Sequence, residues 1–415
     1  MAALLDRFAP IMSQRDALFG DEGVNPFQVK MDQVLSQTEA MIGGRRTILV
    51  GTNNYLGLTF APEALKAAHE ALEACGTGTT GSRVANGTYY GHKELEDTLR
   101  EFFGKEHAMV FSTGFLANLG ILSTLMGPED YILMDADCHA SIYDGVRGST
   151  AQIIRFRHND AADLDKRLAR LADKPGNKLI VIEGIYSMLG DKAPLADIVA
   201  VKKKYENVYL LSDEAHSLGV LGKYGRGLPE EVGCEDDVDF IVGTFSKSVG
   251  TVGGFCVSNH PQFDILRLMT RAYVFTASLP PSVVASATVN LGLVKNGGAL
   301  RKRLMRNAQK LHAGLTAIGL KIASENSPVV AVVAPDPMVA VAFWRGLIEA
   351  GVYVNLALPP ATPYGYSLLR ASLCAAHTEE QLDEVIAIFA QVAAKVGLAS
   401  SPEKQVAERK RIAVG

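Results

Sequence analysis

Asp239-Phe-Ile-Val-Gly-Thr-Phe-Ser-Lys-Ser-Val-Gly250 places a lysine, Lys247, just past a short apolar run with the composition of a buried strand. Upstream, Val208-Tyr-Leu-Leu is a second such run, and Asp213-Glu-Ala-His216 follows it. A lysine after one parallel strand and an aspartate after another can meet at the carboxyl edge of a doubly wound sheet, where such sheets bind ligands. Each half alone is ambiguous. A Ser-Lys at a strand end is ordinarily a solvated loop, and Asp-Glu-Ala-His equally suits a helix N-cap. Together they suit pyridoxal phosphate: the lysine amine holds the cofactor aldehyde as a Schiff base, and the carboxylate keeps the pyridine nitrogen protonated.

Two further elements stand in the order this reading requires. Val110-Phe-Ser-Thr-Gly-Phe-Leu-Ala-Asn118 reads as strand, turn and helix start. Gly114 would let the backbone approach a phosphate at that helix N-terminus, with Phe115 beside the cofactor ring. Tyr131-Ile-Leu-Met-Asp-Ala-Asp-Cys-His139 delivers an imidazole at another strand end, suited to lie over a ring face.

Gly114-Phe-Leu-Ala-Asn118, Asp135-Ala-Asp-Cys-His-Ala-Ser141, Asp213-Glu-Ala-His-Ser-Leu-Gly219 and Thr244-Phe-Ser-Lys247 resemble motifs of the α-oxoamine synthase family of fold-type I pyridoxal-phosphate enzymes. The resemblance runs from about Asn53 to about His377, with the motifs in family order. It implies an α/β fold with a mostly parallel central sheet and a smaller C-terminal α/β domain. It also implies decarboxylative condensation of an amino acid with an acyl thioester. Family members make 5-aminolevulinate, 8-amino-7-oxononanoate, 2-amino-3-oxobutyrate or 3-ketosphinganine.

The resemblance also assigns roles. Lys247 is the Schiff-base lysine and moves the α-proton, Asp213 pairs with the pyridine nitrogen, His216 bonds the ring O3′, and His139 stacks on the ring. Thr244 and Ser246 reach the phosphate, and Ser187 is a further cofactor contact. Thr276 and Ala277 match a segment that touches the phosphate of the neighbouring subunit, which implies a homodimer with shared active sites. Arg370 is assigned to the amino-acid carboxylate, which a guanidinium fork matches bidentately. Asn53 or Asn54 assists; the doubled asparagine leaves the register open.

Within the family, Pro359-Pro-Ala-Thr-Pro363 and the stretch from Gly78 to His92 resemble the soluble bacterial branch that uses L-serine and a long-chain, palmitoyl-like acyl thioester. The product would be 3-ketosphinganine, the first step of sphingolipid synthesis, with the acyl group carried by coenzyme A or an acyl carrier protein. Leu358 departs from branch members that place an arginine before that loop. The alternatives are 8-amino-7-oxononanoate synthase, glycine C-acetyltransferase, and a non-catalytic partner subunit. Such subunits lose the cofactor lysine, which is present here.

Composition narrows the rest. Forty-five acidic against forty-one basic residues give a net charge of −4, so no nucleic-acid footprint is present. Five scattered cysteines, none in a Cys-x-x-Cys pair, point to reduced thiols in the cytoplasm. The N-terminal Met-Ala-Ala-Leu-Leu-Asp-Arg-Phe is broken by charge too early for a signal segment, and no apolar run has the length of a membrane span. A lipid-like product then implies peripheral membrane contact at most. The basic tail from Glu403 to Arg411 reads as a solvated helix.

Along the chain, residues 1–60 read as an N-terminal arm, mostly helical in pattern to about residue 45 and then a strand from Arg46 leading into a glycine-containing turn; 61–285 read as a large cofactor domain, 286–398 as a small C-terminal domain and 399–415 as a tail. Pro62 to Cys75 has proline at its first turn and Gly76 at its end, a bounded helix. A long helical stretch from Val283 to Ile318 has a weak point at Gly297-Gly298. Gly76-Thr-Gly-Thr-Thr-Gly81 fits the dinucleotide pattern by letter, but a helix precedes it where that fingerprint requires a strand. Strand alternation would put Asp135, Asp137 and His139 on one face; with one histidine and no second cluster, no metal site is expected.

Overall fold

Seven strands build the sheet that carries the motifs: β1 His107–Phe111, β2 Tyr131–Asp135, β3 Gln152–Phe156, β4 Lys178–Glu183, β5 Val208–Asp213, β6 Phe240–Thr244 and β7 Gly254–Ser258. Their spatial order is β1-β7-β6-β5-β4-β2-β3. In this computed structural model residues 4–20, 25–324 and 327–398 are described. Strands β3, β2, β4, β5 and β6 run parallel, whereas β7 lies antiparallel to both β6 and β1. Every residue of β2, β4, β6 and β7 is buried, which explains why these strands read as continuous apolar runs rather than alternating ones. Helices Gly114–Leu125, Ala140–Arg147, Ala161–Ala169 and Leu195–Lys202 lie between successive strands, as parallel pairing demands.

The register aligns the carboxyl ends. Glu183 at the end of β4 pairs with Asp213 at the end of β5, and Asp213 pairs with Val242 of β6. Because β7 is antiparallel to β6, the chain turns straight back after Thr244 without a crossover helix. That turn is closed by Phe245 N–H to Gly253 O at 3.0 Å, Thr251 N–H to Phe245 O at 3.0 Å, and Gly250 N–H to Lys247 O at 3.0 Å. Lys247 therefore sits on a short, internally bonded loop.

The chain forms two compact units: residues 53–304, which hold this sheet, and residues up to 52 together with those from 305 onward. The second unit has a four-stranded sheet of Gln33–Val34, Glu39–Ile42, Arg45–Leu49 and Val352–Tyr353, and a three-stranded antiparallel sheet of Val329–Ala334, Ser367–Ser372 and Asn355–Ala357. The expected boundaries at residues 60 and 285 thus fall instead after 52 and after 304. The cause is non-local: Val352 and Tyr353 pair in parallel with Ile48 and Leu49, tying the N-terminal segment to the C-terminal one. The same pairing corrects the helical reading of this segment beyond its helix Ala9–Phe19. The tail from 399 lies outside the described residues.

Several local expectations have structural counterparts. The helix after Ala61 spans Pro62–Cys75 and ends at Gly76 in a positive-φ conformation. The stretch around Gly297 is two helices, Pro281–Asn296 and Gly298–Ala317. The run Gly76–Gly81 lies between helix Pro62–Cys75 and helix Tyr90–Phe103, with no strand feeding it. Asp135, Asp137 and His139 do not share a strand face, because β2 ends at Asp135 and the chain turns there. Among the described residues no three His, Cys, Asp or Glu side chains group as metal ligands, and none of the cysteines is in a disulfide.

Gly254 is where three elements meet. It pairs with Phe111 of β1 and Thr244 of β6, and a Cβ added there would stand 2.4 Å from Thr113 O and 2.5 Å from Gly114 N. Both obstacles are backbone and cannot rotate away. Gly254→Ala is therefore expected to destabilise the protein by about 1–3 kcal/mol through overpacking, read from the shift in its urea unfolding midpoint.

Candidate active site

A cavity of about 280 Å³ opens at the carboxyl edge of the sheet. It is lined by Gly114 and Phe115 at a helix start, His139 after β2, Asp213 and His216 after β5, and Thr244, Ser246 and Lys247 after β6. A cleft of similar size, about 290 Å³, lies around Leu179, Tyr209 and Phe240 at the amino ends of their strands. Volume alone therefore does not single out the site. The convergence of a lysine, two carboxyls and two imidazoles does.

Asp213 is buried and held from two sides. Its Oδ1 accepts Ala215 N–H at 2.9 Å, and its Oδ2 accepts Asn118 Nδ2–H at 2.6 Å. Asn118 also donates to Ser141 Oγ at 3.0 Å, and Ser141 Oγ lies 2.8 Å from His139 Nδ1. His139 caps helix Ala140–Arg147 by accepting Ser141 N–H at Nδ1, at 3.2 Å. An amide can only donate, so Nδ1 is the acceptor and the ring proton belongs on Nε2. The protein packed around the ring holds its pKa below the ordinary value; the charge of Lys247 adds to this and that of Asp213 opposes it. One directed chain, Asn118 to Ser141 to His139, thus fixes the imidazole's tautomer and ties it to the carboxylate.

Local packing also shapes the end of the cavity beside Gly114. Thr113 Oγ1 caps helix Gly114–Leu125 by accepting Leu116 N–H at 3.1 Å. A Cβ at Gly114 would come within 2.8 Å of Thr244 Cβ, so the close approach that requires glycine is to the end of β6. Thr244 Oγ1 donates inward to Gly253 O at 2.8 Å and lies 2.8 Å from Ser246 Oγ. Ser246 itself is exposed. His216 is oriented by the hydroxyl of buried Tyr55, 2.7 Å from its Nδ1.

Two more buried carboxyls flank Asp213. Glu183 accepts the backbone N–H of His139, and burial followed by repulsion from Asp213 pushes its pKa well up. Glu214 accepts the hydroxyls of Ser212 and Ser217 and, at 2.8 Å, Leu228 N–H. Complete burial pushes Glu214 up to about 7 despite those three donors.

Other expected residues stand elsewhere. Ser187 is on the turn after β4, outside the cavity lining. Asn54 Nδ2 donates to Thr59 Oγ1 at 2.8 Å, and Tyr55 O–H points to Asn53 Oδ1 at 3.5 Å. Thr276 lines a small separate pocket beside Arg83, and Ala277 O accepts Ser112 Oγ–H at 2.6 Å. Arg370 belongs to the other compact unit. It is buried within strand Ser367–Ser372, not at a strand end, and its Nη1 donates to Ser372 Oγ at 2.7 Å. Sequence reasoning missed Asn118, Ser141, Glu183 and Tyr55. Asn118 and Ser141 stood inside quoted motifs, and only the fold shows that Asn118 reaches Asp213 and that Ser141 links Asn118 to His139.

The fold and this cavity define a class: α/β enzymes that bring a lysine and a buried aspartate together at the carboxyl edge of a mostly parallel sheet. Residues 45–389 match the family described as aminotransferase class I and II, and the chain belongs to that family. It is 57% identical over 389 residues to a serine palmitoyltransferase of Caulobacter vibrioides, covering 93% of this chain and 96% of that one. A solved Sphingomonas wittichii serine palmitoyltransferase superposes with a TM-score of 0.93 at 55% identity, covering 96% of this chain and all of that one. A further structure, described as SPT with PLP internal aldimine, matches with a TM-score of 0.93 at 52% identity, again over 96% of this chain and all of the other. An 8-amino-7-oxononanoate synthase of Lysinibacillus sphaericus is 37% identical over 88% of this chain and 93% of its own.

Glu214 gives a test of the buried charge pattern. The folded protein keeps this proton up to about pH 7, whereas the unfolded chain releases it near 4.5. Its stabilising contribution is thus complete below pH 4.5 and lost as pH rises through 7. Between pH 5 and pH 8 the wild type should lose about 2–3 kcal/mol more stability than Glu214→Gln. Denaturant midpoints at the two pH values measure this; identical slopes would show that Glu214 does not titrate in that window.

Proposed function

We infer that the protein has serine palmitoyltransferase activity: it uses pyridoxal phosphate to join L-serine to a palmitoyl-like thioester, releasing CO2 and a thiol. The observation that carries this reading is the cavity in which Lys247 meets the Asp213–Asn118–Ser141–His139 chain, in a protein 57% identical to a relative of that name. In the overall reaction a carbon–carbon bond forms between the serine Cα and the thioester carbonyl carbon, the C–S bond breaks, and the serine carboxyl leaves as CO2.

The donor set fits the cofactor. Lys247 offers the amine for its aldehyde and Asp213 the carboxylate for its ring nitrogen, already fixed by Asn118 at 2.6 Å. The first turn of helix Gly114–Leu125 borders the cavity, and amides without intrahelical partners at such a terminus suit a phosphate, with Ser246 beside them. His139 supplies the stacking ring and His216, oriented by Tyr55, the partner of the ring hydroxyl. When bound, the cofactor supplies an electron sink for charge developing at the serine Cα.

This chain's residues do the rest. Lys247 Nζ is the base for the α-proton. Neutral His139 keeps a proton on Nε2, facing the cavity as a donor. Asp213 stabilises positive charge on whatever ring nitrogen it meets. Arg370 is the proposed partner of the serine carboxylate, with Asn53 or Asn54 assisting. Ser187, Thr276 and Ala277 are proposed cofactor contacts, the last two from a second copy of the chain in a homodimer. The departure at Leu358 leaves Arg370 as the proposed carboxylate ligand on its own side of the Pro359–Pro363 loop. The acyl carrier, coenzyme A or acyl carrier protein, makes no difference to this chemistry. Among the described residues no helix is long and apolar enough to cross a membrane. A cytoplasmic enzyme that meets the bilayer only peripherally to release a hydrophobic product fits that observation.

Two measurements test the reading. Serine, glycine and alanine, each offered with acetyl, pimeloyl, succinyl and palmitoyl thioesters, should give CO2 chiefly from serine with palmitoyl. A preference for alanine with pimeloyl or glycine with acetyl would move the protein to another member of the family. Lys247→Ala should lose the visible absorbance of lysine-bound cofactor together with turnover, and borohydride reduction of the wild type should place pyridoxyl on Lys247. Label on another lysine would remove the site assignment altogether.

A further inference from the structure

Beside the cavity, on the β3 side of the sheet, lies a group of polar side chains that the proposed chemistry does not use. His158 follows β3. Its Nδ1 donates to Asp135 Oδ1 at 2.8 Å and its Nε2 to Asp191 Oδ2 at 2.6 Å. Asp137 lies 3.9 Å away, and the ring of buried Tyr186 packs perpendicular to the imidazole at 4.5 Å between centroids. Burial alone would lower this histidine, but the two carboxylates outweigh it and hold it up at about 10. Asn159, at a positive φ of 53°, duplicates the link: its N–H donates to Asp135 Oδ2 and its Nδ2 to Asp191 Oδ2, each at 2.8 Å.

The carboxylates gripped by His158 are the ones that shape two active-site turns. Asp135 ends β2, and its Oδ1 also accepts Asp137 N–H at 2.9 Å, starting the turn that delivers His139. Asp191 closes the turn after β4, where Tyr186 N–H donates to Asp191 O at 2.9 Å and Gly190 N–H to Tyr186 O at 2.9 Å; Ser187 lies inside that turn. We propose that His158 is a positioning residue: held between Asp135 and Asp191, it fixes the turn carrying His139 and the turn carrying Ser187 against the Lys247–Asp213 pair. This rests on reading the cavity as the cofactor site.

The test uses the cofactor-loaded enzyme. In protein labelled with ¹⁵N-histidine, the His158 resonances, assigned by their loss in His158→Gln, should show both ring nitrogens protonated from pH 6 to pH 9. Titration near the ordinary histidine value would overturn the clamp. His158→Gln and Asp191→Asn should each keep the cofactor yet change its visible circular dichroism and lower kcat by about ten- to a hundredfold, the cost of slightly misplaced reacting groups. The double variant should lose less than the sum of the two single losses, since both act on the His158–Asp191 contact while Asn159 holds a second link to Asp191. Unchanged dichroism and kcat, with only a lower unfolding midpoint, would reduce His158 to a structural residue and overturn the proposal. If His158→Gln fails to fold, Asp191→Asn carries the same comparison with the ring retained. The NMR and dichroism do not depend on which substrates are used. A wild type inert towards serine and palmitoyl thioester would therefore refute the functional reading while leaving the clamp measurable.

Discussion

The level carboxyl ends of β2, β4, β5 and β6 are the constraint on which the rest depends. Parallel register puts Glu183 opposite Asp213 and Asp213 opposite Val242, so the loops that follow emerge side by side. Sliding β5 by one residue would turn Asp213 to the other face of the sheet and put Ser212 or Glu214 in its place. Strands buried on every residue resist such a slip, because each alternative register would leave apolar groups and ladder bonds mismatched. The antiparallel β7 adds the second part of the constraint: it returns the chain immediately after Thr244 and so confines Lys247 to a loop bonded to itself.

Level strand ends crowd acids together, and the protein neutralises each one differently. Asp135 meets a cationic His158. Glu183 moves towards its protonated form under burial and the field of Asp213. Glu214 takes two hydroxyls and an amide, and still lies near neutrality in its titration. Asp213 and Glu183 both border the cavity and accept fixed neutral donors, but Asp213 takes two, from Asn118 and Ala215, where Glu183 takes the one backbone N–H of His139. A carboxylate solvated by dipoles rather than by a counter-ion keeps its charge available to a cationic ligand. This division of labour marks Asp213 out chemically from its neighbours.

Much of this was legible in the sequence, and the limits have physical causes. Strands such as Lys178–Glu183 and the helix Pro62–Cys75 announce themselves through local signals: apolar runs, a proline start and a glycine end. Lys247, Asp213, His139 and His216 were found because each follows such a strand. Asn118 and Ser141 were not, since a side-chain amide on one helix and a hydroxyl on another acquire meaning only when packing links them into one chain from Asp213 to His139. The strand from Arg46 was legible, but the two short strands before it, Gln33–Val34 and Glu39–Ile42, were missed for the same reason. Glu39-Ala-Met-Ile becomes a strand by pairing with Arg45–Leu49, which in turn borders Val352 and Tyr353, some three hundred residues away in the chain. The burial of Arg370 mid-strand was equally illegible, since it depends on pairing strands on both sides.

The two substrates of the proposed reaction pose different recognition problems, and the architecture treats them differently. An amino-acid carboxylate is recognised by geometry: a guanidinium fork either meets both oxygens or leaves buried donors unmet, so discrimination is steep. An acyl chain is recognised by area, with about 0.8 kcal/mol for each methylene removed from water. Shortening the chain by four carbons thus costs about 3 kcal/mol and loses affinity gradually, without any single decisive contact. The proposed fork, Arg370, is buried within its strand and donates from Nη1 to Ser372 Oγ, a fixed placement that suits the steep problem. Chain-length preference can then drift through many small apolar changes elsewhere while the Lys247–Asp213–His139 geometry stays fixed, which is one way a single fold can serve several reactions.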